Sequence, residues 1–330
     1  MRILLTVPSS RARLHRLAPL GWALRTAGHQ VQVAGRPSFT DSITLTGLVA
    51  VPVGDGGTDD GGQEHHRLDR RSDTDALLDY FSLWRPDLVV WDSLAPAGAE
   101  AAQARGVAAV RVLGPLADRS EGDGLPGRTL DSLPPSLRTA GEPEDLAVRF
   151  LPYAGAAVLP AWLRRKPRRR RIHATLGDFA SDATVTALFD AMGGSDAEFL
   201  CELADDRIPA GTRLPGNVRL YQDAPRDAVL ASCEAAVHDG GAEVTMSALA
   251  AGLPQLILTD GTTPTGLAPR VADGGGAILA DPAGLRPDAI GRLLDDPEPR
   301  AGATRLRDEV AAMPGPREVV PLLAAVAGQR

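Results

Sequence analysis

The chain has 330 residues, 44% of them hydrophobic and 23% charged, with a formal net charge of −7; these are values of a globular protein long enough for two domains. The acidic balance argues against a nucleic-acid role, which needs a basic surface, and no apolar run approaches the roughly eighteen residues of a membrane span. Cys201 and Cys233, the two cysteines, have no paired spacing, so neither a disulfide framework nor a zinc site is suggested.

The opening run Met1 to Val7 breaks at Pro8-Ser9-Ser10. It is too short for a secretory signal and suits a buried first strand, so a cytoplasmic location is expected. Further strands are predicted at Gln30–Ala34, Leu48–Val53, Leu88–Trp91 and Ala108–Leu113. Helices lie between them, the clearest at Leu14–Ala27, ended by Gly28. Gly54–Arg71 has no periodicity and reads as a loop, and Gly114–Gly141 is rich in Gly, Pro, Asp and Ser with little that forms a long helix. Ala154–Leu159 is predicted as a last strand before Pro160-Ala161-Trp162-Leu163 and the basic run Arg164–Arg171, which reads as a solvated linker. The boundary is placed there, giving domains 1–160 and 161–330. The pattern then restarts with strands at Arg171–Leu176, Glu198–Glu202, Val218–Tyr221, Ala235–His238, Gln255–Leu258 and Ala277–Leu279. Short apolar runs alternating with helical segments predict an α/β fold of two Rossmann-like domains facing across a cleft. Ligands of such sheets bind outside the carboxyl ends of the strands, so the loops after Val7, Leu176, Tyr221, His238 and Leu258 are expected to meet in that cleft.

The most informative stretch is Val237-His238-Asp239-Gly240-Gly241-Ala242-Glu243, a buried strand running through two glycines into an alanine-rich helix. Glycines there let the backbone approach a ligand, and a helix N-terminus with free N–H groups suits a phosphate. His238 is expected to donate a hydrogen bond to the same anion. The other reading of the spacing is a tight turn with a satisfied edge histidine.

With Leu17-Ala18-Pro19-Leu20-Gly21-Trp22, Ala27-Gly28-His29-Gln30-Val31, Asp87-Leu88-Val89-Val90-Trp91-Asp92, Val158-Leu159-Pro160-Ala161-Trp162-Leu163, Thr175-Leu176-Gly177 and Leu294-Asp295-Asp296-Pro297, this stretch resembles the nucleotide-sugar-dependent glycosyltransferases (GT-B fold) that attach deoxysugars to macrolides and polyketides. The resemblance covers almost the whole chain and is that of a divergent, shortened member. It implies a second domain that binds a thymidine- or uridine-diphosphate sugar as co-substrate, a first domain that binds the aglycone, and an inverting displacement. No tightly bound cofactor and no metal are implied. A last helix around Arg317–Ala327 packing back on the first domain is expected, and a homodimer or an auxiliary protein partner is allowed for.

Carried over by motif position, Ala224 and Pro225 lie near the nucleotide base, Gly177 near the diphosphate, and His238, Gly240 and Gly241 on the phosphates. Asp92 supports a base from the first domain. Several positions depart from the family. Arg13 stands where the base histidine belongs, and an arginine accepts no proton at neutral pH. His15, two residues on, substitutes only if the segment is not helical, and Asp92 is the alternative base. Asp239 replaces a second histidine, Glu243 a glycine and Asp178 a hydroxyl residue, so three carboxylates gather where a diphosphate should sit. Thr263 takes the place of the sugar-binding carboxylate, with Asp260 three residues upstream. Beside sugar transfer these departures support a second reading, a repurposed member that binds or converts a pathway intermediate or serves as an auxiliary protein.

Overall fold

In a computed structural model of the chain, the residues described are 1–54, 68, 71–114, 124–125, 127–138, 146–177, 180–222, 224–259, 266–282 and 285–328. They form two compact units, one of Met1–Leu133, Ala140–Leu151 and Met313–Arg330, the other of Pro134–Thr139 and Pro152–Ala312.

The first unit holds β1 (Arg2–Thr6), α1 (Arg11–Thr26), β2 (Gln30–Gly35), α2 (Thr40–Thr44), β3 (Val49–Pro52), α3 (Arg71–Trp84), β4 (Leu88–Asp92), α4 (Ala97–Arg105), β5 (Ala108–Val112), β6 (Arg128–Asp131) and β7 (Leu146–Ala147). Its sheet runs β3-β2-β1-β4-β5-β6-β7, all parallel. Helices on the faces of a parallel sheet bury its central strands on both sides, and every residue of β4 is buried accordingly. Helix α1 ends before Gly28, whose φ of +89° is the left-handed backbone that glycine adopts freely. Trp91 packs with Leu4, Leu77, Phe81 and the alanines of α4.

The second unit begins its sheet with β8 (Arg171–Thr175) and continues with α5 (Asp182–Gly193), β9 (Glu198–Glu202), β10 (Val218–Tyr221), α6 (Arg226–Leu230), β11 (Ala235–His238), α7 (Ala242–Ala251), β12 (Gln255–Leu258), α8 (Leu267–Asp273), β13 (Ala277–Ala280), α9 (Pro287–Asp295) and α10 (Pro297–Ala312). Its six parallel strands run β10-β9-β8-β11-β12-β13. A final helix, α11 (Pro316–Gly328), belongs to the first unit, where it packs on α1 and β5. In both sheets the strand order reverses beside the first strand, between β1 and β4 and between β8 and β11, and such switch points are where ligands of this architecture bind.

One expectation is corrected, and a second segment gains a strand that was not predicted. Residues 154–159 form no strand, since a short apolar run gains nothing from extension without a neighbouring strand to pair with. Part of 114–141, which gave no element, supplies β6, and β7 follows it. Most of the predicted 54–71 loop lies outside the described residues.

Candidate functional site

In the first unit the switch point is bridged by Asp92. The last residue of β4, it is fully buried, and its Oδ1 accepts from the Leu94 backbone N–H at 2.9 Å and from Arg13. Its Oδ2 accepts from Arg16 Nη2 at 2.7 Å, and Arg13 also donates to Ser93 Oγ at 3.2 Å. The helix carrying both arginines begins at Arg11. Arg13 and His15 are therefore helical, and two residues turn a side chain by about 200°. The condition under which His15 replaces the base at Arg13's position is not met; His15 is half-buried on another face of α1. The direct-base role for Asp92 is corrected as well, because both its oxygens are committed to internal donors and none of the residue is exposed. Its charge is matched by the guanidinium groups of Arg13 and Arg16.

The same device recurs in the second unit. Gly177 follows β8 and Asp239 follows β11, the two strands beside the switch point. Asp239 Oδ2 accepts from the Gly177 N–H at 2.6 Å, and Oδ1 accepts from the Gly241 N–H at 3.2 Å. A Cβ on Gly177 would lie 2.4 Å from Asp239 Oδ2, so only glycine admits the carboxylate this close. Gly241 caps α7, and Gly240 takes a φ of +84° to turn the strand into that helix. The two backbone donors that the motif offers to a phosphate thus hold a carboxylate of the chain itself.

His238 does not donate to an anion here. Completely buried, its Nδ1 accepts from the Gly240 N–H at 3.0 Å, which leaves Nε2–H to donate to Gln255 Oε1 at 2.8 Å. Gln255 in turn donates to the Thr245 carbonyl at 3.4 Å, so the chain of bonds ties β11, β12 and α7 together. Burial pulls the imidazole down to about 4, and it stays neutral at pH 7. The expectation of a phosphate-facing His238 is replaced by a residue that fixes the glycine turn from behind. Glu243, in the first turn of α7, faces Arg226 Nη1 at 3.4 Å, which offsets one of the carboxylates read from the sequence. Asp178, Asp260 and Thr263 lie outside the described residues. Pro225 caps α6, and Ala224 packs against the cluster of Leu200, Tyr221 and Val229.

One group of residues was missed by the sequence reading. Glu202, which ends β9, accepts from Arg226 Nε at 2.7 Å and Nη2 at 2.8 Å, and from Tyr221 at 3.3 Å, while His173 Nε2 shares a hydrogen bond with Tyr221 Oη at 2.9 Å. Burial alone would raise the Glu202 carboxyl, but the bonds from His173 and Arg226 and their charge hold it down to about 2. Only Arg226 had a usable signal, standing directly after Ala224-Pro225. Among the described residues, no group of three His, Cys, Asp or Glu is placed to hold a metal ion. Cys201 and Cys233 are buried and unpaired, and burial pushes both thiols up to about 12. No single described helix is long and apolar enough to cross a membrane.

Comparison with known proteins agrees with this fold. The family model described as "Erythromycin biosynthesis protein CIII-like, C-terminal domain" matches residues 186–326, and the corresponding N-terminal domain matches 22–74 and 112–177. The chain is 31% identical to 10-deoxymethynolide desosaminyltransferase of Streptomyces venezuelae, covering all of this chain and 98% of that protein over 416 aligned positions. As these exceed the 330 residues present, the alignment carries gaps on this side. Among solved structures, spinosyn forosaminyltransferase SpnP superposes with a TM-score of 0.88 at 30% identity over the full length of both chains. The glycosyltransferase VinC in complex with dTDP gives 0.85 at 29% identity, also over both full lengths. With its two parallel-sheet α/β units of the GT-B class, the chain belongs to the erythromycin biosynthesis protein CIII-like family of antibiotic glycosyltransferases, as a divergent and shortened member.

Proposed function

We propose that the protein transfers a deoxysugar, with inversion, from a thymidine- or uridine-diphosphate donor to a polyketide or other natural-product aglycone. The donor binds the second unit at the loops after β8 and β11, and the aglycone binds the first. The observation that carries this reading is the pair of N–H groups of Gly177 and Gly241, which converge on one oxyanion at the switch point. A diphosphate enters by displacing the Asp239 carboxylate from them. The acceptor oxygen then bonds to the anomeric carbon as the carbon–oxygen bond to the phosphate breaks, and the diphosphate leaves with the electron pair. The acceptor proton passes to a base in the first unit. His15 is the group there suited to neutral pH, provided the start of α1 rearranges when substrate binds.

A specific observation favours the second reading. Arg13 sits on Asp92 where the family resemblance places a base, and Asp239 already fills the phosphate donors. On that reading the fold holds or converts a pathway intermediate without transferring sugar, or serves an enzyme partner. Titration of the purified protein with thymidine and uridine diphosphates, with and without magnesium, separates the two. Saturable binding supports transfer. Silence from both the parent protein and an Asp239→Ser variant leaves the repurposed reading in its place. A cytoplasmic location and a homodimer or auxiliary partner complete the proposal.

A further inference from the structure

The basic run after Trp162 is built into the second unit. Trp162 and Leu163 pack against the core cluster of Leu200, Tyr221, Val229 and Leu230. At its other end Arg170 donates to Glu234 at 2.9 Å, Asp295 at 2.6 Å and the Leu294 carbonyl at 2.5 Å. Between these anchors the segment walls a cavity of about 510 Å³, within the range that holds small-molecule ligands.

Among the described residues, Arg165, Lys166, Arg168, Arg169, Arg171 and Arg219 line it against a single acid, Glu198. A surplus of five positive charges gathers there in a chain whose net charge is −7. Arg165, Lys166, Arg168, Arg169 and Arg219 have no ion pair among the described residues, and Arg219 instead lies over the Trp162 ring at 5.4 Å. Arg171 is 5% exposed; its Nε donates to Glu198 at 2.8 Å, and its Nη1 has no hydrogen-bond partner among the described residues. Assembling like charges around a cavity and leaving a buried guanidinium N–H unsatisfied both cost stability, and a multivalent anion offsets both.

The cavity lies where β8, β9 and β10 begin, since Arg171 and Glu198 open β8 and β9 and Asn217 precedes β10. A strand of five residues, about 16 Å, separates this end of the sheet from Gly177. It is thus distinct from the place proposed for the donor and does not rest on that reading. From this geometry we infer a second binding site, for a small molecule carrying two or more linked phosphate groups. A concave cavity with charge on several sides suits a compact polyanion better than the flat face of an acidic protein.

The test is calorimetric titration of the full chain with inorganic tripolyphosphate at low ionic strength. The parent protein is expected to bind it saturably, and Arg168→Glu/Arg169→Glu, two exposed positions, to weaken binding by about tenfold or more. Arg219→Gln is expected to weaken it as well. Hydrogen exchange of residues 163–171 should slow on binding. The inference is overturned if no saturable binding occurs, if the double variant binds as the parent does, or if poly-glutamate saturates the site while tripolyphosphate does not.

Discussion

Replacing Asp239 by serine tests the donor reading where the geometry is most specific. The carboxylate accepts at 2.6 and 3.2 Å from the N–H groups of Gly177 and Gly241. Hydrogen bonds to charged groups contribute about 1.5–3 kcal/mol each. Asp239 is half-buried, however, so water takes over part of its role, and the loss in unfolding free energy should be about 1–2 kcal/mol. Donor affinity should move the other way. A phosphate placed about 4 Å from a retained carboxylate is opposed by about 4 kcal/mol per charge pair at an effective dielectric constant of about 20. Allowing for solvent access, removal of the charge should tighten thymidine diphosphate binding by about 10- to 100-fold, or 1.4–2.8 kcal/mol. Asp239→Asn, which keeps the volume, should give a smaller gain. Calorimetric titration reads the affinity and urea unfolding reads the stability. If Asp239→Ser is less stable yet binds the diphosphate no better than the parent, the carboxylate does not stand in the phosphate position.

Asp92→Ala removes the buried carboxylate that Arg13 and Arg16 share and should cost about 3–5 kcal/mol in urea unfolding; a loss below about 1 kcal/mol contradicts a structural role for the triad. His238 is held neutral with its imidazole at about 4, against about 6.5 for an ordinary histidine. The unfolded chain therefore binds more protons between these values, and the stability His238 contributes is complete above pH 6.5 and lost as pH falls toward 4, by about 3 kcal/mol. His238→Gln should flatten unfolding free energy in that window, and a slope equal to the parent's would refute the assignment. A Cβ on Gly302 would lie 2.0 Å from the Gly275 carbonyl oxygen, so Gly302→Ala should lower stability by about 1–3 kcal/mol or more, visible as a lower Tm. If sugar transfer is found and His15 takes the proton, His15→Ala should reduce turnover by roughly two orders of magnitude while Arg13→His retains activity; full turnover in His15→Ala places the base elsewhere.

Most strands were readable because they are local signals. A run such as Leu88-Val89-Val90-Trp91 is apolar on both faces, and its place in a parallel sheet follows from the helices around it. Strands β6 and β7 gave no such signal. They are four and two residues long, and β6 carries buried Thr129 and Asp131, so only the pairing of β6 with β5 and of β7 with β6 makes them strands. The family and its glycine motif were legible for the same reason, since a strand, two glycines and an alanine-rich helix are adjacent in the chain.

What the sequence left undecided was the direction of side chains and the meeting of distant ones. His238 stands at the expected strand end, but whether its ring faces a ligand or the core depends on Gln255, 17 residues on. Asp239 reads as a repulsive charge beside the phosphates; folding places it 62 residues back along the chain, on Gly177, where it satisfies the donors it was expected to guard. Arg13 reads as a failed base and becomes the partner of Asp92, 79 residues away. Local propensity fixes which segments are extended and which are helical. Which polar groups share a buried switch point is decided by strand order, because only the folded sheet brings the ends of β1 and β4, and of β8 and β11, side by side.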